Sequence, residues 1–123
     1  MCRLRKIYKY FLQRILIIGE ELLWRVRYTD FENSAIERVK CQKTLSIFCG
    51  IWNNFQRHKR VILTKAESKT HNEEETRLKQ YFNNLQEYDF QNPSNEEFKE
   101  MRRNVEKITR LIYYGKMKHP VRQ

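Results

Sequence analysis

The chain has 123 residues, 25 Lys and Arg against 15 Asp and Glu, and a net charge of +10. With 40% of positions apolar and 13% aromatic, a disordered tail or low-complexity linker is excluded, because bulky side chains are abundant enough to offset the entropy of ordering one domain. Three Gly and two Pro are too few for the many turns of a sandwich or barrel, so helices are expected.

Leu4, Tyr8, Phe11, Ile15, Ile18 and Leu22 recur at alternating steps of four and three, and Ile7, Leu12, Leu16, Leu23 and Val26 widen that stripe. This is the face of one helix over about 4–27, broad enough for two neighbours. Gly19 interrupts it at up to ~1 kcal/mol relative to Ala, a cost that makes sense if a neighbouring side chain packs on the bare backbone. Ser34-Ala-Ile-Glu37 then has the pattern of a capping box, in which the hydroxyl and the Glu satisfy backbone donors that a helix start leaves unpaired. Cys41, Leu45, Phe48, Trp52 and Phe55, flanked by Val39, Ile47 and Ile51, give a second helix over 34–59.

Val61-Ile-Leu-Thr64 is too short for its period to be read, so residues 61–69 fit helix or loop equally. A second box, Thr70-His-Asn-Glu73, opens a third helix over 71–90 carrying Leu78, Tyr81, Leu85 and Tyr88, stopped by Asn92-Pro93. A third box, Ser94-Asn-Glu-Glu97, opens a fourth over 94–114 with Phe98, Met101, Val105, Ile108 and Ile112; Gly115 fits a left-handed C-cap, and 116–123 a loose basic tail. The short connections at 28–33 and 91–93 can only turn the chain back alongside itself. The expected fold is all-α: a single-domain, small antiparallel bundle of about four amphipathic helices. Its predicted core is Tyr8, Phe11, Ile15, Leu45, Phe48, Trp52, Phe55, Leu85, Val105 and Ile108.

Charge is uneven along the chain: residues 1–29 carry +5, 30–71 carry +4, 72–100 carry −5 and 101–123 carry +6. An excess this large attracts anionic surfaces. One cluster, Arg57-His58-Lys59-Arg60, ends the second helix, where cations also favour the exposed carbonyls by ~0.3 to 1 kcal/mol. Another, Arg102, Arg103, Lys107 and Arg110 with Lys116 beyond, lies on the fourth and could grip phosphates or face water.

No glycine-rich loop cradles a phosphate. His58, His71 and His119 are not spaced with cysteines as zinc ligands, so neither a metal nor another cofactor is expected. Cys41 and Cys49 lie eight residues apart on one helix, roughly 12 Å along its axis, too far to bond each other, and read as small core residues. Glu73-Glu74-Glu75 reads as acids at a helix start. No nucleophile–base pair is evident, so an enzyme is not expected.

Three function classes remain. The first is a non-enzymatic adaptor or assembly protein whose basic surface docks an acidic protein. The second is an RNA- or ribosome-associated protein using Arg102, Arg103, Lys107, Arg110 and Lys116, with Tyr113 and Tyr114 as the best-placed stacking surface. The third is a peripheral membrane protein lying on an anionic bilayer through its first helix. No transmembrane helix is expected, since the apolar run Ile15 to Trp24 is short and broken by Glu20 and Glu21. An odd, sparse set of cysteines without a secretory signal fits an intracellular setting. The acid-free, basic first nineteen residues are compatible with mitochondrial import; cytoplasm and nucleus are the alternatives.

Ile7-Tyr8-Lys9, early in a basic first helix, resembles the Leu-Tyr-Arg signature of the LYR-motif family of small mitochondrial helical proteins, and Phe55-Gln-Arg-His-Lys59-Arg60 is similar to the Phe and basic residues that close that family's second helix. The likeness spans roughly residues 3 to 90; the fourth helix and a longer Tyr-to-Phe separation depart from the family pattern. The resemblance implies an adaptor for respiratory, iron-sulfur or mitochondrial ribosome assembly that binds acylated acyl carrier protein. By position, Tyr8 would brace the core, Lys9 would meet the acidic carrier and Phe55 would mark the far wall. The charge map adds Arg57, Lys59 and Arg60 to the partner-binding set.

Overall fold

The structure, a computed structural model, describes residues 2–30, 33–62, 72–91 and 94–118, with side chains placed over 9–30, 33–58, 76–91 and 94–114. Four helices account for nearly all of it: α1 (Cys2–Tyr28), α2 (Ala35–Ile62), α3 (Asn72–Leu85) and α4 (Asn95–Lys118). Two of the three caps are in place. Ser34 Oγ accepts from the Glu37 amide at 3.3 Å and Ser94 Oγ from the Glu97 amide at 3.1 Å, so the Ser-x-x-Glu pattern marks where α2 and α4 begin. Thr70 lies outside the described residues.

The helices run up, down, up, down. Phe11 meets Phe55 at 5.2 Å, which sets α2 antiparallel to α1. Asn84 donates to Asn104 Oδ1 at 3.2 Å while Tyr81 lies beneath Lys107, which sets α4 antiparallel to α3. α1 packs on both α2 and α4, as its broad stripe requires, and α3 packs on α4 and more narrowly on α2. Ile15, Leu22, Leu45, Phe48, Leu78, Phe82, Phe90, Val105, Ile108 and Ile112 fill the interior. Phe82 stacks on Trp52 at 4.8 Å and touches Phe48 at 5.0 Å, so one aromatic cluster ties α3 to α2.

Gly19 is where α1 comes closest to its neighbours. A Cβ there would sit 2.6 Å from Thr109 Cγ2 and 2.9 Å from Phe48 Cε1, well inside ordinary carbon contact. The bare backbone is therefore occupied by side chains from two other helices. Three buried polar residues, Thr44, Asn104 and Thr109, are paired within their own helices: Asn104 Nδ2 donates to the Glu100 carbonyl at 2.8 Å, and the Thr44 and Thr109 hydroxyls donate to the carbonyls of Lys40 and Glu106.

Several expectations need correction. The third helix ends at Leu85 rather than 90, because the chain gains more by leaving it. Gln42 Oε1 accepts from the Phe90 amide at 2.8 Å, Gln42 Nε2 donates to the Tyr88 carbonyl at 3.3 Å, and Phe90 drops fully into the core. The helical spacing of Tyr88 belongs to that loop. α2 continues to Ile62, which assigns residues 61 and 62 to helix; 63–71 lie outside the described residues. α4 runs through Gly115 to Lys118, and no described Gly has a positive φ, so Gly115 is not a left-handed cap. Glycine within a helix costs up to ~1 kcal/mol but does not end it, and the next Pro is Pro120. Residues 116–118 thus belong to α4, and 119–123 lie outside the described residues. Of the predicted core, Phe11 is only half-buried and the side chain of Tyr8 lies outside the described set. Val39 and Ile47 face outward and line a shallow hollow of about 430 Å³ on α2.

Candidate functional site: the basic half of the bundle

The up-down order brings the start of α1, the end of α2, the start of α3 and the end of α4 to one side of the Gly19–Phe48–Thr109 crossing. On that side lie residues 2–18, 49–62, 72–81 and 109–118, with thirteen basic residues against three acidic, a net +10. On the other side lie residues 19–30, 33–48, 82–91 and 94–108, with nine basic against ten acidic, a net −1. In chain order the charge appears as alternating blocks, and folding turns it into a longitudinal polarity. α1 is 27 residues long, about 40 Å at the helical rise, so the centres of the two halves are ~20 Å apart. Screening at physiological salt acts within about 8 Å, so the halves present separate electrostatic surfaces.

Lys9 and Arg57, predicted to meet a partner, both lie in the basic half. The Phe11 ring packs on Phe55 and on His58 at 5.9 Å, which clamps the first turns of α1 to the last turns of α2. Arg57 is exposed and donates to the Asn54 side chain. The side chains of Lys59, Arg60 and Lys116 lie outside the described residues, although their helix positions fall in this half.

The fourth-helix cluster does not form one surface. Arg110 is exposed in the basic half, with Tyr113 and Tyr114 exposed beyond it and packed edge to face at 5.5 Å. Arg102 and Arg103 lie in the other half and pair within α4, with Glu106 at 3.0 Å and Glu100 at 3.3 Å. Lys107 sits over the Tyr81 ring at 5.6 Å. The sequence places four cations close together; the interleaved Glu100 and Glu106 divide them.

Cys41 and Cys49 are free, buried thiols. Burial pushes the Cys41 thiol up despite nearby Arg25, and pushes Cys49 up to about 11. Tyr88 is pushed up to about 12, first by burial and then by Glu97. Groups shifted in that direction are protonated and inert at neutral pH, the opposite of an activated nucleophile. Among the described residues no three His, Cys, Asp or Glu side chains group as metal ligands, and no helix is long and apolar enough to cross a membrane. The wide apolar stripe of α1, the face expected to lie on a bilayer, is in the core instead: Leu12, Ile15 and Leu22 are buried. The chain matches no protein-family model, no curated protein and no solved structure.

Sequence reasoning missed a set of outward-facing apolar side chains on α1: Tyr10, Ile17, Trp24 and Tyr28 are all exposed. Their spacing was available in the sequence but was obscured by the larger stripe on the opposite face.

Proposed function

We propose that the protein is a non-enzymatic adaptor that docks an acidic protein partner through the basic half of its bundle. The observation that carries this reading is that, among the described residues, one half of the packed bundle carries a net +10 and the other −1. Such a surface steers an anionic partner to one end and sets its orientation. The likeness to the LYR-motif pattern supplies a candidate partner, the acidic acyl carrier protein, and a mitochondrial setting. Phe11, two residues beyond the first segment that carries that likeness, packs on Phe55 and His58 in the second.

A second reading, RNA or ribosome binding, draws on exposed Tyr113 and Tyr114 near Arg110, since aromatic faces beside cations can stack on bases. Protein docking is preferred because two of the five residues expected to grip phosphates, Arg102 and Arg103, are paired with glutamates outside the basic half.

The test is purification of the tagged chain from its native cell with identification of what accompanies it. An acidic protein is expected, lost with Arg57→Glu plus Arg110→Glu and retained with Arg102→Glu plus Arg103→Glu. Recovery of RNA alone would overturn the adaptor reading.

A further inference from the structure

The outer face of α1 carries Tyr10, Ile17 and Trp24 at seven-residue intervals, with Tyr28 four residues further on. It points away from the buried row of Ile15, Gly19, Leu22 and Val26, and neither α2 nor α4 covers it: Ile17 is 63% and Trp24 58% exposed. A seven-residue repeat drifts only about 20° per heptad on a straight helix, so the three side chains stay in line along one seam. Arg14, Glu21, Arg25 and Arg27 edge that seam. Arg14 lies 6.0 Å from the Tyr10 ring centre, Arg27 lies 5.5 Å from that of Tyr28, and Arg25 pairs with Glu21 at 3.4 Å. An aromatic and aliphatic strip with Arg at its rim has the composition of an interface centre rather than of ordinary surface.

We infer that this face pairs with the same face of a second copy of the chain, the two α1 helices antiparallel and centred on Ile17. The sequence about Ile17 is self-complementary in that direction. Residue 10 falls opposite residue 24, so Tyr10 of each copy packs on Trp24 of the other. Residue 14 falls opposite residues 20 and 21, and of these Glu21 is on the flank of Arg14, so Arg14 of each copy meets Glu21 of the other. Antiparallel helices juxtapose the same flank of both copies, and Arg14 and Glu21 share one flank.

Charge selects the antiparallel over the parallel arrangement. In the antiparallel pair the +10 half of one bundle lies along the −1 half of the other; a parallel pair would set the two +10 halves together and Arg14 against Arg14. The pairing uses none of Lys9, Arg57, Lys59, Arg60 and Arg110, so an adaptor of this form would present its two basic ends at opposite poles of the dimer.

The test is sedimentation equilibrium of the full chain over a range of concentrations at physiological salt. A monomer–dimer equilibrium in the micromolar range is expected. Ile17→Glu, at a site already exposed in the single bundle, should raise the dissociation constant by about tenfold or more while the helical circular dichroism stays unchanged. Arg14→Glu and Glu21→Arg should each weaken the dimer and together restore it, because only the antiparallel register opposes these two positions. A chain that stays monomeric at every concentration, a dimer indifferent to Ile17→Glu, or a double swap that fails to recover would each overturn the inference and leave the adaptor reading untouched.

Discussion

Gly19→Ala is the substitution for which the fold makes the most pointed statement. In an open helix position this exchange stabilises by up to ~1 kcal/mol, because alanine restricts the unfolded backbone and favours the helix. At Gly19 the new Cβ would lie 2.6 Å from Thr109 Cγ2 and 2.9 Å from Phe48 Cε1. Ordinary carbon contact is about 3.5 to 4.0 Å, so α1 must move by roughly 1 Å from two helices at once. Overpacking of this kind costs about 1 to 3 kcal/mol, which outweighs the propensity gain and leaves a net loss of about 1 kcal/mol.

Gly50 is the internal control. A Cβ there meets nothing within 4 Å, so Gly50→Ala should stabilise by about 0.5 to 1 kcal/mol. The assay is thermal and urea unfolding followed by circular dichroism at the helical band, with melting shifts of about 4 °C per kcal/mol and opposite signs for the two variants. Thr109→Ser, which removes the obstructing methyl and retains the hydroxyl that donates to the Glu106 carbonyl at 2.9 Å, should make Gly19→Ala less costly. A Gly19→Ala protein as stable as Gly50→Ala would refute the close crossing of α1, α2 and α4.

Gln42→Ala removes both hydrogen bonds from α2 to the 88–90 loop and takes from the Phe90 amide its Gln42 acceptor, so it should cost about 1 to 3 kcal/mol and speed hydrogen exchange at that amide before elsewhere. For Cys49 the folded state holds a proton up to about 11, whereas the unfolded thiol releases it near its ordinary 9.0. The stabilisation from Cys49 is therefore intact below about pH 9 and is lost as pH rises toward about 11. Urea midpoints should fall across that window, and Cys49→Ala should flatten the fall; an unchanged slope would show that the thiol is not buried as described. Cys41 and Tyr88 act in the same direction, so some slope should remain.

Periodicity and capping were enough to read the helices, for reasons visible in particular residues. Ser34 and Ser94 sit at true N-caps, and the spacing of Cys41, Leu45, Phe48, Trp52 and Phe55 puts all five side chains on one face, where each is buried. What escaped the sequence depended on contacts between elements. Nothing near Tyr88 signals that Gln42, 46 residues earlier, will replace its helical bonding, so periodicity alone carries α3 past its true end at Leu85. Gly115 fits a terminator in sequence because glycine caps many helices, yet glycine within a helix does not end it. In the site, the cluster at Arg57 to Arg60 was legible as a run. The polarity of the whole bundle was not, because it arises only when 2–18, 49–62 and 109–118 are brought to one side by up-down packing. The glutamates that partner Arg102 and Arg103 were in plain view at helical spacing.

The charge polarity is tested most directly with poly-glutamate as the anionic probe, titrated against wild type and two double variants that lower the net charge equally. Arg57→Glu plus Arg110→Glu changes the basic half, and Arg102→Glu plus Arg103→Glu changes the other. With the halves ~20 Å apart and screening acting within about 8 Å, the first pair should weaken binding by about tenfold or more and the second by less than about twofold. Equal losses in the two variants would show that only total charge matters, and would contradict a docking surface confined to one end of the bundle.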